Sequence, residues 1–311
     1  MKKKVVVIGG GSGLAMLLRG LKKYDFDISA IVTMTDDGKS TGILRKQFGT
    51  LPQGDIRRCI AALSDEEEIL TKLFEYRFKN GKGLSGHALG NLILLAMQDI
   101  CGSFERGIAE FSRILEAVGH VFPSTLEDVD LMATLKSGKI VKGESAITSA
   151  GHRDPIKKIK LTHKVKPSAD AIYAIKTADA IIIGPGSLYT SIIPNFLINE
   201  ITKAVVNNRK AKKIYICNVS TERGETEKFG VEDHINKIIE YADPKIFDFV
   251  LVNNRIVHAN SDEGKLGTVK NITTEMEKIG RYKIINTDLI DLENPLFHDS
   301  RRLAKAIAEI I

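Results

Sequence analysis

Short unbroken runs of β-branched residues, separated by helical patterns, constrain this chain more than any other feature. Residues 4–8, 28–33, 180–183, 213–217, 247–252 and 282–285 read as strands, and several carry no polar alternation at all. Strands of that kind are buried on both faces. The stretches between them have helical periodicity, with Leu14, Leu17, Leu18 and Leu21 falling on one stripe of a helix over 14–23. Further helices are expected over 169–177, about 199–206, 231–241 and from Asp299, and 55–119 reads as mostly helical. Strand and helix in alternation predict an α/β fold with a mostly parallel sheet and helices on both faces. The middle of the chain breaks that rhythm. Residues 130–145 read as strand, Ser137-Gly138 turn, strand, and 159–162 adds another, so a small inserted antiparallel β segment is expected over about 129–165. With no repeat, low-complexity tract or Pro/Gly linker, residues 1–311 are expected to form a single domain.

Composition narrows the function classes. No stretch reaches the ~18 apolar residues a membrane helix needs; the longest candidate, 89–97, contains Asn91. After Lys2, Lys3 and Lys4 the apolar run stops at Gly9, too early for a secretory signal. A cytoplasmic protein without a membrane span is expected. Cys59, Cys101 and Cys217 lie far apart, which suits neither a disulfide framework nor a zinc motif. The net charge of +6 is spread over short runs at 2–4, 157–160 and 210–213. This reads as a solvated surface that attracts an anionic small ligand, with no nucleic-acid partner.

Ligands of open α/β sheets bind beyond the carboxyl ends of the strands, so the residues after each strand matter most. Gly9-Gly10-Gly11-Ser12-Gly13 follows the first. Gly10, Gly11, Ser12 and Gly13 can form a tight turn or let a phosphate approach a helix N-terminus. The dinucleotide fingerprint needs a third glycine where Leu14 stands, which argues against an NAD-type oxidoreductase. After the second strand come Thr35, Asp36, Asp37, Gly38, Lys39, Ser40, Thr41 and Gly42. Thr33 stands where a Walker A loop needs its first glycine. The paired acids can bind a ribose, hold hydrated Mg²⁺ against a diphosphate, act as a general base, or sit in a solvated turn. Asp55 suits a helix N-cap and gains interest only if the fold brings it near Asp36 and Asp37. His87 and Asn91, four apart, would share a helix face, with Ser85 as its cap. Two more strand-end loops offer Gly186 and Ser187, then Asn218, Thr221 and Arg223 for a base, ribose or phosphate.

Taken together, GGGSGL from Gly9, TDDGKSTG from Thr35, QGDIRRCIAALS from Gln53, GKGLSGHALGNLILLA from Gly81, VKGES from Val141, GPGSLYTSIIPN from Gly184 and CNVSTERGET from Cys217 carry a resemblance over essentially the whole chain. The sequence resembles the 2-phospho-L-lactate transferase (CofD-like) family and, within it, the YvcK-type gluconeogenesis factors. The resemblance implies a Rossmann-like fold and a cytoplasmic bacterial protein that binds UDP-sugars, notably UDP-N-acetylglucosamine. It also implies a role in cell shape and wall synthesis on gluconeogenic carbon sources, without an established catalytic activity. The transferase relatives move a phospholactyl group from a nucleotide diphosphate to a deazaflavin with Mg²⁺. On that alternative Asp36, Asp37 and Asp55 would be catalytic, and Asp37 and Asp55 would hold the metal. The sequence departs from the family pattern at Lys39, at Gln53 and at Phe297, where YvcK-type proteins tend to carry glycine, proline and arginine. Neither the protein partner nor a homo-oligomeric state is legible.

Overall fold

The computed structural model describes residues 1–65, 68–257 and 269–311. Eleven strands are present among them: β1 Lys3–Gly9, β2 Phe26–Val32, β3 His120–Pro123, β4 Leu131–Leu135, β5 Ile140–Lys142, β6 Ile156–Leu161, β7 Ala180–Ile183, β8 Lys212–Ile216, β9 Phe249–Asn253, β10 Lys278–Ile279 and β11 Tyr282–Thr287. The helices are α1 Gly11–Leu21, α2 Lys39–Phe48, α3 Gly54–Leu63, α4 Glu68–Glu75, α5 Leu89–Cys101, α6 Phe104–Ile114, α7 Glu144–Gly151, α8 Ala169–Thr177, α9 Ile193–Phe196, α10 Asn199–Asn207, α11 Val231–Tyr241 and α12 Ser300–Ile310. Of the expected helical stretch over 55–119, residues 66 and 67 lie outside the described residues.

Eight strands form one sheet in the order β10-β11-β9-β8-β7-β1-β2-β3, parallel except for the short β10. The chain winds outward from β1 to β3, returns across the sheet, and resumes at β7 on the other side of β1. β1 and β7 stay parallel, but the winding order reverses between them, and a crevice opens there. The alternation of side chains sorts the core into two layers. Val5, Val7, Ala30, Val32, Ile182 and Ile214 pack under α1, α3, α6 and α12. Val6, Ile8, Ile31, Ile181, Ile183 and Val250 pack under α8, α9, α10 and α11. Purely apolar runs were legible as strands because both faces are covered.

The inserted segment forms a second sheet, β5-β4-β6, antiparallel throughout. Its inner face, with Leu131, Ala133, Leu135 and Ile159, joins the layer under α8 to α11. It lies in the crossover between β3 and β7.

Several local expectations are corrected. Thr35 to Gly42 is not all loop, since α2 begins at Lys39 with Gly38 before it. Asp55 is not a cap: α3 starts at Gly54 after Gln53, and Asp55 lies in its first turn. Ser85 does not cap α5, which begins at Leu89 after Ala88; the Ser85 hydroxyl donates to the Lys79 carbonyl at 3.2 Å. His87 therefore precedes that helix and does not share a face of it with Asn91.

Candidate functional site

At the β1/β7 crevice two glycine loops press together. Gly11 has a φ of +69°, a left-handed conformation that glycine adopts without cost. A Cβ on Gly13 would lie 2.9 Å from the Pro185 carbonyl oxygen, so only glycine lets the β1 loop approach the β7 loop this closely. No side chain caps α1 at Gly10. The first turn of any helix leaves N–H groups without internal acceptors. That of Gly11 is taken by Asp55 Oδ2 at 2.7 Å; Ser12 and Gly13 line an open cleft of about 490 Å³. The opposite wall comes from the β7 loop (Gly186, Ser187), the β8 loop (Asn218, Thr221, Arg223) and the segment before α12, with Phe297 and His298. A cleft of similar volume beside α6 and β3 lies away from this rim.

The candidates fall into two groups. Gly10, Gly11, Ser12, Gly13, Gly186, Ser187, Asn218, Thr221 and Arg223 all line the cleft. The Asn218 side chain is already engaged. Its amide donates to the Gly186 carbonyl at 3.0 Å and its oxygen accepts the Gly186 N–H at 3.4 Å, so it fixes the β7 loop. Thr221 accepts the Lys270 N–H at 3.0 Å. Arg223 is exposed and has no ion-pair partner among the described residues.

The second group lies behind the first. Ser40, His87 and Asn91 form one buried network, with Ser40 Oγ 3.1 Å from His87 Nδ1 and 3.2 Å from the Asn91 amide. Arg57 Nε donates to Asn91 Oδ1 at 3.0 Å. This network holds α2 against the start of α5, and none of its members lines the cleft. Thr35 is buried against Thr33, hydroxyl to hydroxyl at 3.3 Å.

The acids are tied to different partners. Asp36 accepts the Gly38 N–H at 2.8 Å and the Thr41 hydroxyl at 2.9 Å. Burial, reinforced by the Asp55 charge, raises its pKa. Asp55 accepts from Gly11 and pairs with Arg58. Asp36 Oδ2 packs against Gly54, the residue before Asp55, which is near enough for the Asp55 charge to act on Asp36. Asp37 turns away from both and accepts the Ser145 N–H at 2.9 Å and its hydroxyl at 2.8 Å, holding the first turn of α7. Gly38 gives its N–H to Asp36 and is turned from the cleft.

A resident metal between Asp37 and Asp55 does not fit this donor set. Both Asp55 oxygens already accept, Asp37 is held at α7, and no group of three or more His, Cys, Asp or Glu among the described residues is arranged to hold a metal ion.

Sequence reasoning passed over three acids. Ser187 Oγ donates to Glu222 at 2.6 Å. Glu225 accepts the Tyr189 N–H at 2.9 Å and the Thr190 hydroxyl at 2.8 Å. It thereby stabilises the wide turn Leu188–Ile192, in which the Ile192 N–H reaches back to Ser187. Full burial, with the Glu222 charge beside it, pushes the Glu225 carboxyl up to about 8. Glu144, within the VKGES motif, has a buried Oε2 with no hydrogen-bond partner. Burial, then the charges of Asp36 and Asp55, hold its pKa well above the usual range. The Glu-x-x-Glu spacing after β8 was the available signal; with no partner visible in sequence, it reads as solvated surface. His298, also passed over, donates its Nε2–H to the Cys217 carbonyl at 3.2 Å, and burial lowers its pKa to about 4.

Strand order 3-2-1-4-5-6, counted outward through β3, β2, β1, β7, β8 and β9, with glycine loops at the reversal, defines a Rossmann-like α/β protein. Comparison with known proteins narrows the class. The family model described as 2-phospho-L-lactate transferase CofD matches residues 5–290, and the chain belongs to that family. The chain is 42% identical over 313 residues to the gluconeogenesis factor of Halalkalibacterium halodurans, spanning 99% of this chain and 96% of that one. It is 40% identical to the gluconeogenesis factor of Bacillus subtilis over 318 residues, 100% of this chain and 98% of that one. A Nostoc relative is 52% identical over 260 residues, 83% of this chain, which spans only 56% of that longer protein. A crystal structure from Bacillus halodurans superposes with a TM-score of 0.93 at 41% identity, covering 99% of this chain and 100% of that one. A second structure from that organism, described as a member of the UPF0052 family, gives 0.92. These findings bear out the family resemblance carried by the motifs and the α/β fold with its antiparallel insertion.

Proposed function

We propose that the protein is a ligand-reading gluconeogenesis factor of the cytoplasm. Its cleft at the β1/β7 crevice takes a nucleotide-sugar of the UDP-N-acetylglucosamine type, and its occupancy is read by a protein partner that governs wall synthesis and cell shape. The names of the relatives support the physiological setting. The ligand reading rests on one observation: Ser12 and Gly13 in the uncapped first turn of α1, and Arg223 with no ion-pair partner among the described residues, border the same cleft. Helix N-termini and guanidinium groups are the two protein groups best suited to a diphosphate. The volume lies in the range of small-ligand sites. Phe297 offers an apolar ring at the same wall for a base or sugar face.

The test is calorimetric titration with UDP-N-acetylglucosamine, with and without Mg²⁺, followed by mass analysis of the recovered ligand. Binding with intact ligand is expected; absence of binding in both conditions would sink the reading. A transferase acting on a nucleotide-diphospho donor is the second reading, supported by the close buried acids Asp36 and Asp55 and by Glu144 beside them. Mg²⁺ would then enter with the diphosphate substrate. Metal-dependent cleavage at the diphosphate is the result that would favour it.

A further inference from the structure

The inserted segment that forms the small sheet carries a charge equal to the whole net charge of the protein. Between Val129 and Lys166, eight lysines and Arg153 face three acids, so with neutral histidines this segment alone accounts for the +6 of the chain. The register arranges the outer face as two cross-strand rows. Lys142, Met132 and Lys160 form one; Ile140, Thr134 and Lys158 form the other. Side chains directly opposite in such rows sit about 5 Å apart. Ile140 is 60% exposed at the row's end, and Met132 is half-buried between two lysines. Lys142 pairs with Asp130 at 2.8 Å. Lys136, Lys139, Lys157, Lys158, Lys160, Lys164 and Lys166 are exposed with no ion-pair partner among the described residues. The nearby acids Asp128 and Asp130 are taken up by Arg45.

We propose that this face docks the protein on an anionic lipid surface. Three features select that partner. The segment is lysine-rich, with Lys158 and Lys160 side by side on one face, and each lysine near an anionic bilayer contributes without needing fixed geometry. Residues 129–166 contain no aromatic side chain and one arginine, so stacking on bases and bidentate base readout are both missing. Protein interfaces favour arginine and aromatics and are depleted in lysine. Ile140 adds an exposed apolar group that can enter the headgroup layer beside the lysines, with half-buried Met132 between them. The docking face is separate from the cleft and does not depend on what the cleft binds.

The experiment is vesicle flotation of the full chain at low and high salt. The vesicles are phosphatidylcholine alone, or phosphatidylcholine with about one-third phosphatidylglycerol, the latter chosen for its negative surface. Flotation is expected only with the anionic vesicles, falling steeply with salt. The Lys158→Glu/Lys160→Glu variant should bind about 30-fold more weakly or worse, with its melting temperature near that of the parent. A control with the same net charge, Lys203→Glu/Lys228→Glu, should keep most of the binding. No flotation of the parent, equal loss in the control, or tighter binding to polyuridylate than to the vesicles at the same salt would overturn the proposal.

Discussion

At the rim of the large sheet the buried acids are held in place. Asp55 is fixed by Gly11 and Arg58, Asp36 by Gly38 and Thr41, and Glu225 by Tyr189 and Thr190. On and around the small sheet the reverse holds, with seven lysines of residues 129–166 free of ion pairs among the described residues. The rim thus uses its carboxyl groups as hydrogen-bond acceptors: each stiffens a loop, and the loops in turn define a cleft. The lysine face keeps its charges in water, where they act at long range and tolerate many arrangements. One region suits recognition of a shaped small molecule, the other attraction to an extended surface.

The largest expected effect tests whether rim acids are structural. Glu225 has its pKa raised by burial, so the folded state holds its proton more tightly than the unfolded chain. The cost of ionising it is absent below the ordinary value of 4.5 and complete above about 8. Stability should therefore fall as pH rises through that window, on the order of several kcal/mol. Thermal melts of Glu225→Gln against pH should flatten the dependence. A parent melting temperature that does not fall between the two values would show that the carboxyl ionises freely.

Asp55→Ala comes next. It strands the Arg58 guanidinium and the Gly11 N–H, and should cost about 3 kcal/mol by urea unfolding. A cost under about 0.5 kcal/mol would place Asp55 among ordinary surface residues.

Asn218→Ala should weaken nucleotide-sugar binding by about 1 kcal/mol, because the Gly186 loop loses two hydrogen bonds. Calorimetry showing unchanged affinity would separate that loop from the ligand. The smallest effect belongs to the lysine face: Lys158→Glu/Lys160→Glu should alter stability by less than about 0.5 kcal/mol and leave cleft binding intact. Loss of cleft affinity in that variant would mean the two regions are not independent.

The sequence foretold the fold better than the site, and particular residues explain why. Helices α8 and α11 and strand β7 fall where periodicity predicts, because each buries a stripe or run that owes nothing to long-range partners. Strand β3 escaped notice: it is four residues long, begins with His120 and ends with Pro123 at the sheet edge. Helix α2 was hidden by Gly38, Ser40, Thr41 and Gly42, whose local preference is for turns; Asp36 just before the helix holds Gly38 and Thr41, and His87 from another element holds Ser40. At the site, glycine loops were visible because backbone approach demands a specific residue type. Arg58, Glu222 and Glu225 were not, because their roles depend on partners in other elements. The concentration of positive charge in one segment was present in the residue order, but scattered runs conceal it until β-register sets Lys158 beside Thr134 and Lys160 beside Met132.

The small sheet occupies the crossover from β3 back to β7, a connection that any sheet of this order requires whatever it contains. Its length and decoration are therefore not constrained by strand register in the large sheet. Its inner face is buried in the core, and polar fasteners hold it: Arg45 on the Val129 carbonyl with Asp128 and Asp130, Asp37 on Ser145, and the Tyr241 hydroxyl on the Ile159 N–H. The insert is in effect a cartridge seated on one apolar side and latched at its edges. A replacement that preserves that apolar side and those latches can carry a different outer face while the strand-end loops keep their arrangement. Relatives could thus differ in this outer face while the glycine loops at the strand ends stay the same.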